Sequence, residues 1–397
     1  MTPKETLVGD TPVSDLDLFT DEARLDPYPR YEALRALGPV VYLREHDVYA
    51  LARYREVRDV LGNWQLYSSA QGVTMNPQLN EQLKDVITLF LDPPDHTTVR
   101  KVLGRPLRAD RLRELAPRIE AEAEQVVERL VARGTFDAAT DLAEHLPMTV
   151  VSELVGLGEH GRDNMLRWAA ATWEAQGPPN QRALEAGPVV EEFISFAMTE
   201  AVPGKLDPDG WAAQLYAAAD AGELPQEKCP FMMVDYVTPS LDTTIYAVSN
   251  AIRLFAEHPD QWEVLRADPS LIPHAINETL RLESPVQQFT RTVTADHALS
   301  GVDLAAGSRV MLLYGSANRD ERKYSDADRF DIARKPSDHL AFGRGEHACI
   351  GMQLARLEMS ALFGSLVRRV TAFHLVDAEP VLSNVLNGMK SLHVRVT

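Results

Sequence analysis

The sequence predicts a mainly α-helical protein with small β-sheets, folded as one unit over residues 1–397. Three observations carry this expectation. Apolar residues recur at helical spacing through most of the chain. Strand-like runs are confined to a stretch near the N-terminus, to Thr290–Leu313 and to the last residues. No repeat, low-complexity linker or shift of composition marks a domain boundary.

The elements follow in order. Tyr28–Leu37 starts after Pro27 and stops at Gly38-Pro39, the punctuation of a short helix. Val40–Leu43 and Val48–Ala52 flank Arg44-Glu45-His46-Asp47 and read as a hairpin. Tyr67–Phe90 is irregular, with Gly72, Pro77 and several amide side chains, and has the length of a lid. Arg111–Arg133 and Leu142–Leu157 are helical in pattern. Gly177-Pro178-Pro179-Asn180 interrupts further helical sequence and reads as a second flexible cover. Leu224–Glu257 is one very long helical pattern, with Pro239 inside it. A proline there removes one N–H, leaves the Asp235 carbonyl without its amide and kinks the helix. Pro273–Leu282 is another helix, Thr290–Leu313 holds strands with turns at Gly301 and Ala306-Gly307, and Leu392–Val396 is a last strand.

Bulk properties narrow the class. A hydrophobic content of 45% supports a substantial core, and a net charge of −18 argues against nucleic-acid or anionic-membrane partners. Two cysteines exclude a disulfide framework and fit a reducing compartment. Met1–Thr20 is polar, with Glu5, Asp10, Asp15 and Asp17, and contains no apolar segment of signal-peptide or anchor type. A cytoplasmic protein with no membrane span is expected.

The chemistry concentrates in Phe342–Gly351, F-G-R-G-E-H-A-C-I-G. Cys349 stands in a loop whose glycines, Gly343, Gly345 and Gly351, permit close backbone approach and dihedrals closed to other residues. Met352, Leu354, Ala355, Leu357, Met359, Leu362 and Phe363 follow at helical spacing, so Cys349 sits at a helix start, where amides and dipole favour a thiolate. A thiolate in a pocket large enough for a planar macrocycle points to a haem ligand. Competing readings are weaker. Gly343, Gly345 and Ala348 fit a dinucleotide fingerprint, but Asp338–Ala341 makes a poor strand, and Phe363-Gly364 stand where an acid belongs. Zinc needs more Cys or His at ligand spacing, and Cys229 is remote. A buried structural cysteine is the commonest fate of a lone thiol.

F-G-x-G-x-H-x-C-x-G is matched at every fixed position, and here the chain resembles the cytochrome P450 family. The resemblance implies an α-rich triangular prism and haem b bound through the Cys349 thiolate. It implies propionate contacts from His96, Arg100, Arg291 and His347, with Phe342 and Gly351 completing the haem loop. It places Asp242 and Thr243 over the distal haem face, where a carboxylate and a hydroxyl relay protons to O2. Pro239 and Ser240 depart from the two small residues usual before that acid; on local chemistry alone, Ser240, Thr243 and Thr244 simply patch a kinked helix. Glu278 and Arg281, an E-x-x-R pair, are structural in the family; alone, such a pair is usually a solvated one. Arg105, Arg108, Arg344 and Arg356 are expected on the thiolate side as a docking patch for an acidic ferredoxin or a flavin-containing reductase system, with a scattered solvated face as the competing view. No fused reductase is expected.

Similarity extends to members that remove methyl ethers from aromatic rings, through Gly177–Asn180, Ser284–Gln287, Phe289 and Gly315–Arg319. Walls are expected from Tyr67–Phe90, the region of Trp168 and Trp173, Asp235, Thr238, Val286 and Phe289. Members taking benzoates carry a lid arginine; this chain has none between Arg58 and Arg100. A small neutral aromatic, a methoxyphenol, is therefore the expected substrate, with Asp235 as acceptor of its hydroxyl. Alternatives are a methoxybenzoate demethylase, a terpene or other small-molecule hydroxylase, a peroxide-driven haem enzyme, and a haem carrier or gas sensor.

Overall fold

A computed structural model describes residues 11–397; the polar stretch Met1–Asp10 lies outside the described residues. A six-stranded mixed sheet joins strands from both halves of the chain, in the order Val13–Ser14, Val41–Leu43, Val48–Leu51, Arg309–Leu313, Gln288–Val293, Tyr67–Ser68. The expected hairpin pairs Val41 with Ala50 and Leu43 with Val48. Gln288–Val293 lies antiparallel to Arg309–Leu313, placing Arg291 opposite Val310. Phe373–Pro380, Met389–Val396 and Thr135–Asp137 form a second sheet, and His297–Leu299 with Val302–Leu304 a third. Helices make the rest. Ala109–Arg133 packs along Met352–Arg369, and Asp242–Glu257 crosses the middle beside Ile272–Leu282. Their shared core contains the fully buried Trp262, Phe255 and Phe363.

Tyr28–Leu37 forms with the expected bounds, and the helix expected from Arg111 begins at Ala109. Two long patterns are broken instead. Leu142–Leu157 is not one helix: Ala138–Ala143 and Pro147–Val151 wind as wide π turns, with α geometry only at 145–146 and Ser152–Val155. Pro147 has no N–H to donate to the preceding turn, which widens there. Leu224–Glu257 divides into Cys229–Met232, Val234–Ser240 and Asp242–Glu257. The last break falls at Leu241 (φ −103°, ψ −78°), two residues past the proline, so the helix is interrupted rather than merely kinked.

Both expected covers are pinned. Tyr67–Phe90 contains a helix, Pro77–Leu83, capped by Asn76. Met75 N–H donates to the Gln176 carbonyl at 2.9 Å, Asn76 Nδ2 to Ala175 O at 2.9 Å, and Thr290 N–H to Val73 O at 2.7 Å. Gly177–Asn180 is locked by Asn384, whose Nδ2 donates to Glu174 O at 2.8 Å and to Asn180 Oδ1 at 3.1 Å. A Cβ at Gly177 would lie 2.3 Å from the Asn384 amide, so glycine is required for that approach. These anchors lie far away in sequence, which is why local composition suggested freedom.

Candidate active site

The loop Phe342–Gly351 closes on itself through Cys349 N–H to Phe342 O (2.8 Å) and Ala348 N–H to Gly345 O (3.1 Å). Gly345 has φ +70°, and a Cβ there would stand 2.5 Å from the Leu61 carbonyl oxygen, so no larger residue fits. Gly351 corrects the expectation: its φ of −83° is ordinary. What glycine does there is leave open space beside Cys349 Sγ, 3.9 Å from where a Cβ would be. Cys349 is accessible, but to an internal cavity; protein surrounds it otherwise. Amides of Gly351 and Met352 are directed at the sulfur, as the helix start from Met352 predicts. Burial nevertheless outweighs them and Arg100, so the free thiol is held above its ordinary pKa. Bonding to a metal, which displaces the thiol proton outright, reverses that balance.

The cavity spans from this loop to the interrupted helix. Beside the loop it is walled by Phe342, His347, Arg100 and Arg291. Arg356 stacks behind Phe342, 5.2 Å from the ring centre. Arg100 Nη2 donates to the Ala348 carbonyl. Arg291 is 4% exposed and gives Nη1 to its neighbour's carbonyl, Thr290 O, at 2.8 Å. His96 is not on the wall; it lies behind His347, with ring centres 4.3 Å apart. Both ring nitrogens of His96, and Nε2 of His347, are buried without a partner in the protein. Burial and the neighbouring cations depress this group: His96 to about 4 and His347 to about 2, while desolvation lowers Arg100 and Arg291. Clustered donors with unmet bonds are a receptor for anions. Together with a sulfur ligand opposite an open space, they fit haem b, whose propionates would take Arg100, Arg291 and His347.

The opposite lining comes from Val234–Ser240 and the start of Asp242–Glu257. Trp173 Nε1–H donates to Thr238 O at 3.1 Å, satisfying a carbonyl at the interrupted turn. Thr243 lines the cavity, and its hydroxyl bonds back to Pro239 O at 2.8 Å, so it also patches the break. Asp242 departs from expectation. It is 3% exposed, lies off the cavity wall, and has Oδ2 without a partner. Burial first, then Glu144 and Glu174, pushes its carboxyl up to about 8. Because the break falls at Leu241, the helix restarts with Asp242 turned into the protein and Thr243 toward the cavity.

Asp235 does face the cavity, and its Oδ2 accepts from Thr88 N–H (3.0 Å) and Thr88 Oγ1–H (2.7 Å). Burial raises it to about 6 against those bonds. Thr238, Trp173, Val286 and Phe289 also line the cavity, with Trp173 and Phe289 rings 6.3 Å apart. Trp168 does not; it stacks on Phe193 at 5.0 Å and donates to Glu192 at 3.1 Å. Thr88, Thr172 and Gln176 on the wall lie in or beside the expected wall segments but were not singled out, and sequence reasoning missed Glu358 altogether. Glu358, with Oε1 unpartnered, is pushed up to about 8 by burial. A legible signal existed for Gln176, one turn beyond Trp173 at a helix end.

Glu278 and Arg281 are fully buried, not solvated, and doubly bonded: Arg281 Nε to Oε2 at 2.7 Å, Nη2 to Oε1 at 2.8 Å. Arg281 Nη1 also donates to the carbonyls of Asn318 (2.8 Å) and Ala327 (2.7 Å). The pair thus ties the Ile272–Leu282 helix to the long segment leading into the Cys349 loop. The proposed basic patch is thinner than its sequence: Arg105 pairs with Glu223, Arg108 with Asp110 at 3.4 Å, and Arg356 bonds Asn277 at 3.1 Å. No helix of the described residues is long and apolar enough to cross a membrane.

Comparison with known proteins agrees with this geometry. A family profile described as Cytochrome P450 matches residues 215–393. "Cytochrome p450 CYP199A2" of Rhodopseudomonas palustris is 38% identical over 100% of this chain and 97% of its own length. "Linalool 8-monooxygenase" of Pseudomonas putida is 32% identical over 95% of this chain and 97% of its own. Among solved structures, CYP109E1 from Bacillus megaterium in complex with testosterone superposes with a TM-score of 0.83 at 27% identity, covering 95% of this chain and 99% of that one. By identity maintained over its full length, the chain belongs to the cytochrome P450 family: it is a monooxygenase that binds haem b through a cysteine thiolate.

Proposed function

We propose that this enzyme, one P450 unit over residues 1–397, oxidatively removes the methyl group of a small neutral methoxyphenol, with Cys349 as the axial ligand of its haem. The observation that carries the reading is the distribution of charge around the cavity. Among the described lining residues the cations are Arg100 and Arg291, both at the loop with His347; Asp235 stands on the other lining. A benzoate placed against that second lining meets an acid and no guanidinium. Trp173, Phe289 and Val286 supply apolar surface for a flat ring.

Haem, when bound, supplies O2 binding and one-electron chemistry. The protein supplies position and protons. Asp242, pushed up to about 8, keeps its proton at neutral pH, and the adjoining Thr243 presents a hydroxyl to the cavity. Asp242 and the Thr243 hydroxyl, which donates to Pro239 O, are not in contact, so a proton would pass between them through water at the interrupted turn while apolar walls exclude bulk solvent. Arg100, Arg291 and His347 would hold the propionates, with His96 backing His347 from behind the wall. Electrons come from a ferredoxin or a flavin-containing reductase at the Arg344 face. Free Cys229 and Cys349 suit a reducing cytoplasm.

The test is formaldehyde release by the haem-loaded enzyme with a surrogate reductase, comparing 2-methoxyphenol with 4-methoxybenzoate. Faster release from the phenol supports the reading. Faster release from the benzoate, or none from either, removes it.

A further inference from the structure

We propose that Gln176, with Thr238, is a specificity-determining acceptor site that reads a hydroxyl donor on the substrate, an inference that deepens the methoxyphenol reading and rests on it. Gln176 ends the helix Gly158–Ala175, and its backbone is held on both sides: N–H to Trp173 O at 3.2 Å, carbonyl to Met75 N–H at 2.9 Å. Its side-chain Nε2 donates to Thr172 O at 3.2 Å. A carbonyl only accepts, so the NH2 end must face Thr172 and the Oε1 end must face away. The Thr172 hydroxyl is engaged with Trp168 O at 2.8 Å. Gln176 is 7% exposed, and its Oε1 has no partner in the protein.

Thr238 repeats the pattern. It is 5% exposed, its Oγ1 is also unpartnered, and Trp173 ties its carbonyl to the same helix that carries Gln176. Both residues line the cavity. Two unmet polar atoms on residues of one lining, each nearly covered by neighbouring atoms, favour a partner reached from the cavity by a small side-chain rotation, since a buried unpaired acceptor is costly. Their chemistry restricts that partner. Oε1 accepts only, so it takes an O–H or N–H and rejects an ether, a carbonyl or a carboxylate. The Thr238 hydroxyl can donate as well as accept, so it adds a second polar contact on this lining. Asp235 stands on the same lining with Oδ2 taken by two bonds from Thr88 and Oδ1 left as a second acceptor, so the variants below separate its share from that of Gln176.

The experiment titrates the haem-loaded wild type, Gln176→Met and Thr238→Val with 2-methoxyphenol and with methoxybenzene, which differ by the hydroxyl alone, by calorimetry and haem absorbance. Wild type is expected to prefer the phenol by about tenfold, and Gln176→Met to lose most of that preference while binding methoxybenzene as before. Thr238→Val, nearly isosteric, loses a smaller share. Circular dichroism and haem content show that the variants fold. Equal binding of both compounds by wild type, binding of neither, or an unchanged preference in folded Gln176→Met overturns the proposal. Formaldehyde release separates the two readings. Preference lost in Gln176→Met without any formaldehyde keeps the acceptor site and removes demethylation; formaldehyde with the preference intact does the reverse.

Discussion

Around Cys349 the cavity is walled by Arg100, Arg291 and His347; across from it stand Asp235, Thr238, Thr243 and Gln176. Both linings contain buried polar atoms without protein partners, but of opposite sense. At the loop the imidazoles of His96 and His347 sit among guanidinium groups and await negative charge. Across the cavity the unmet atoms are an amide oxygen and a hydroxyl, beside an acid. One chain thus presents an anion receptor and a donor receptor to the same space. Desolvation makes each selective, because a buried group left with the wrong partner costs more than an exposed one.

The comparison breaks most completely at the sulfur. Cys349→Ala should abolish the red-shifted carbon monoxide band of the reduced protein and all turnover, while far-ultraviolet circular dichroism persists; a retained band would move the iron ligand elsewhere. Next, Asp242→Asn should slow oxygen-dependent turnover on the order of 100-fold, as expected for loss of a proton donor. Stability gives a second readout of the same carboxyl. Its folded pKa of about 8 lies above the ordinary 3.8, so the folded form holds the proton more tightly. Its stabilising contribution is therefore present at low pH and is lost as pH rises from 3.8 through 8. Thermal melts of Asp242→Asn against wild type should diverge over that window, the variant gaining with pH; parallel curves would contradict the burial of this group.

Arg291→Leu sharpens the loop side. Loss of one charge-assisted bond, about 2 kcal/mol, should speed haem transfer to apomyoglobin roughly thirtyfold. Transfer at the wild-type rate would show that Arg291 contacts no propionate. Asp235→Asn has the smallest effect. In wild type, 4-methoxybenzoate should bind better as pH falls through about 6, where Asp235 gains its proton. The variant should bind it a few-fold better at neutral pH, ~1 kcal/mol, with that pH step gone. An unaltered pH step would place the repelling charge elsewhere.

Much of the fold was readable because its signals are local. Pro27 and Gly38 bound a helix whatever packs on it. The Cys349 loop carried its geometry in Gly343 and Gly345, whose positive φ values only a small set of residues tolerates. Broken helices were less readable. Pro239 announced a disturbance, but the break fell at Leu241, and each residue of displacement turns a helix face by about 100°. That rotation put Thr243 on the cavity and Asp242 behind it. Thr88 and Asp235 are 147 residues apart, and no pattern near either announces their bond.

By itself the sequence determined the helical class and the glycine-rich cysteine loop, since periodicity, glycine dihedrals and thiol chemistry act within a few residues; the propionate partners came only from the family resemblance. Tertiary structure alone decided which side chains face the cavity and which polar atoms are left unpaired there. Burial and partner choice depend on segments brought together from opposite ends of the chain, and a hydrogen bond is met or unmet only once they are in place.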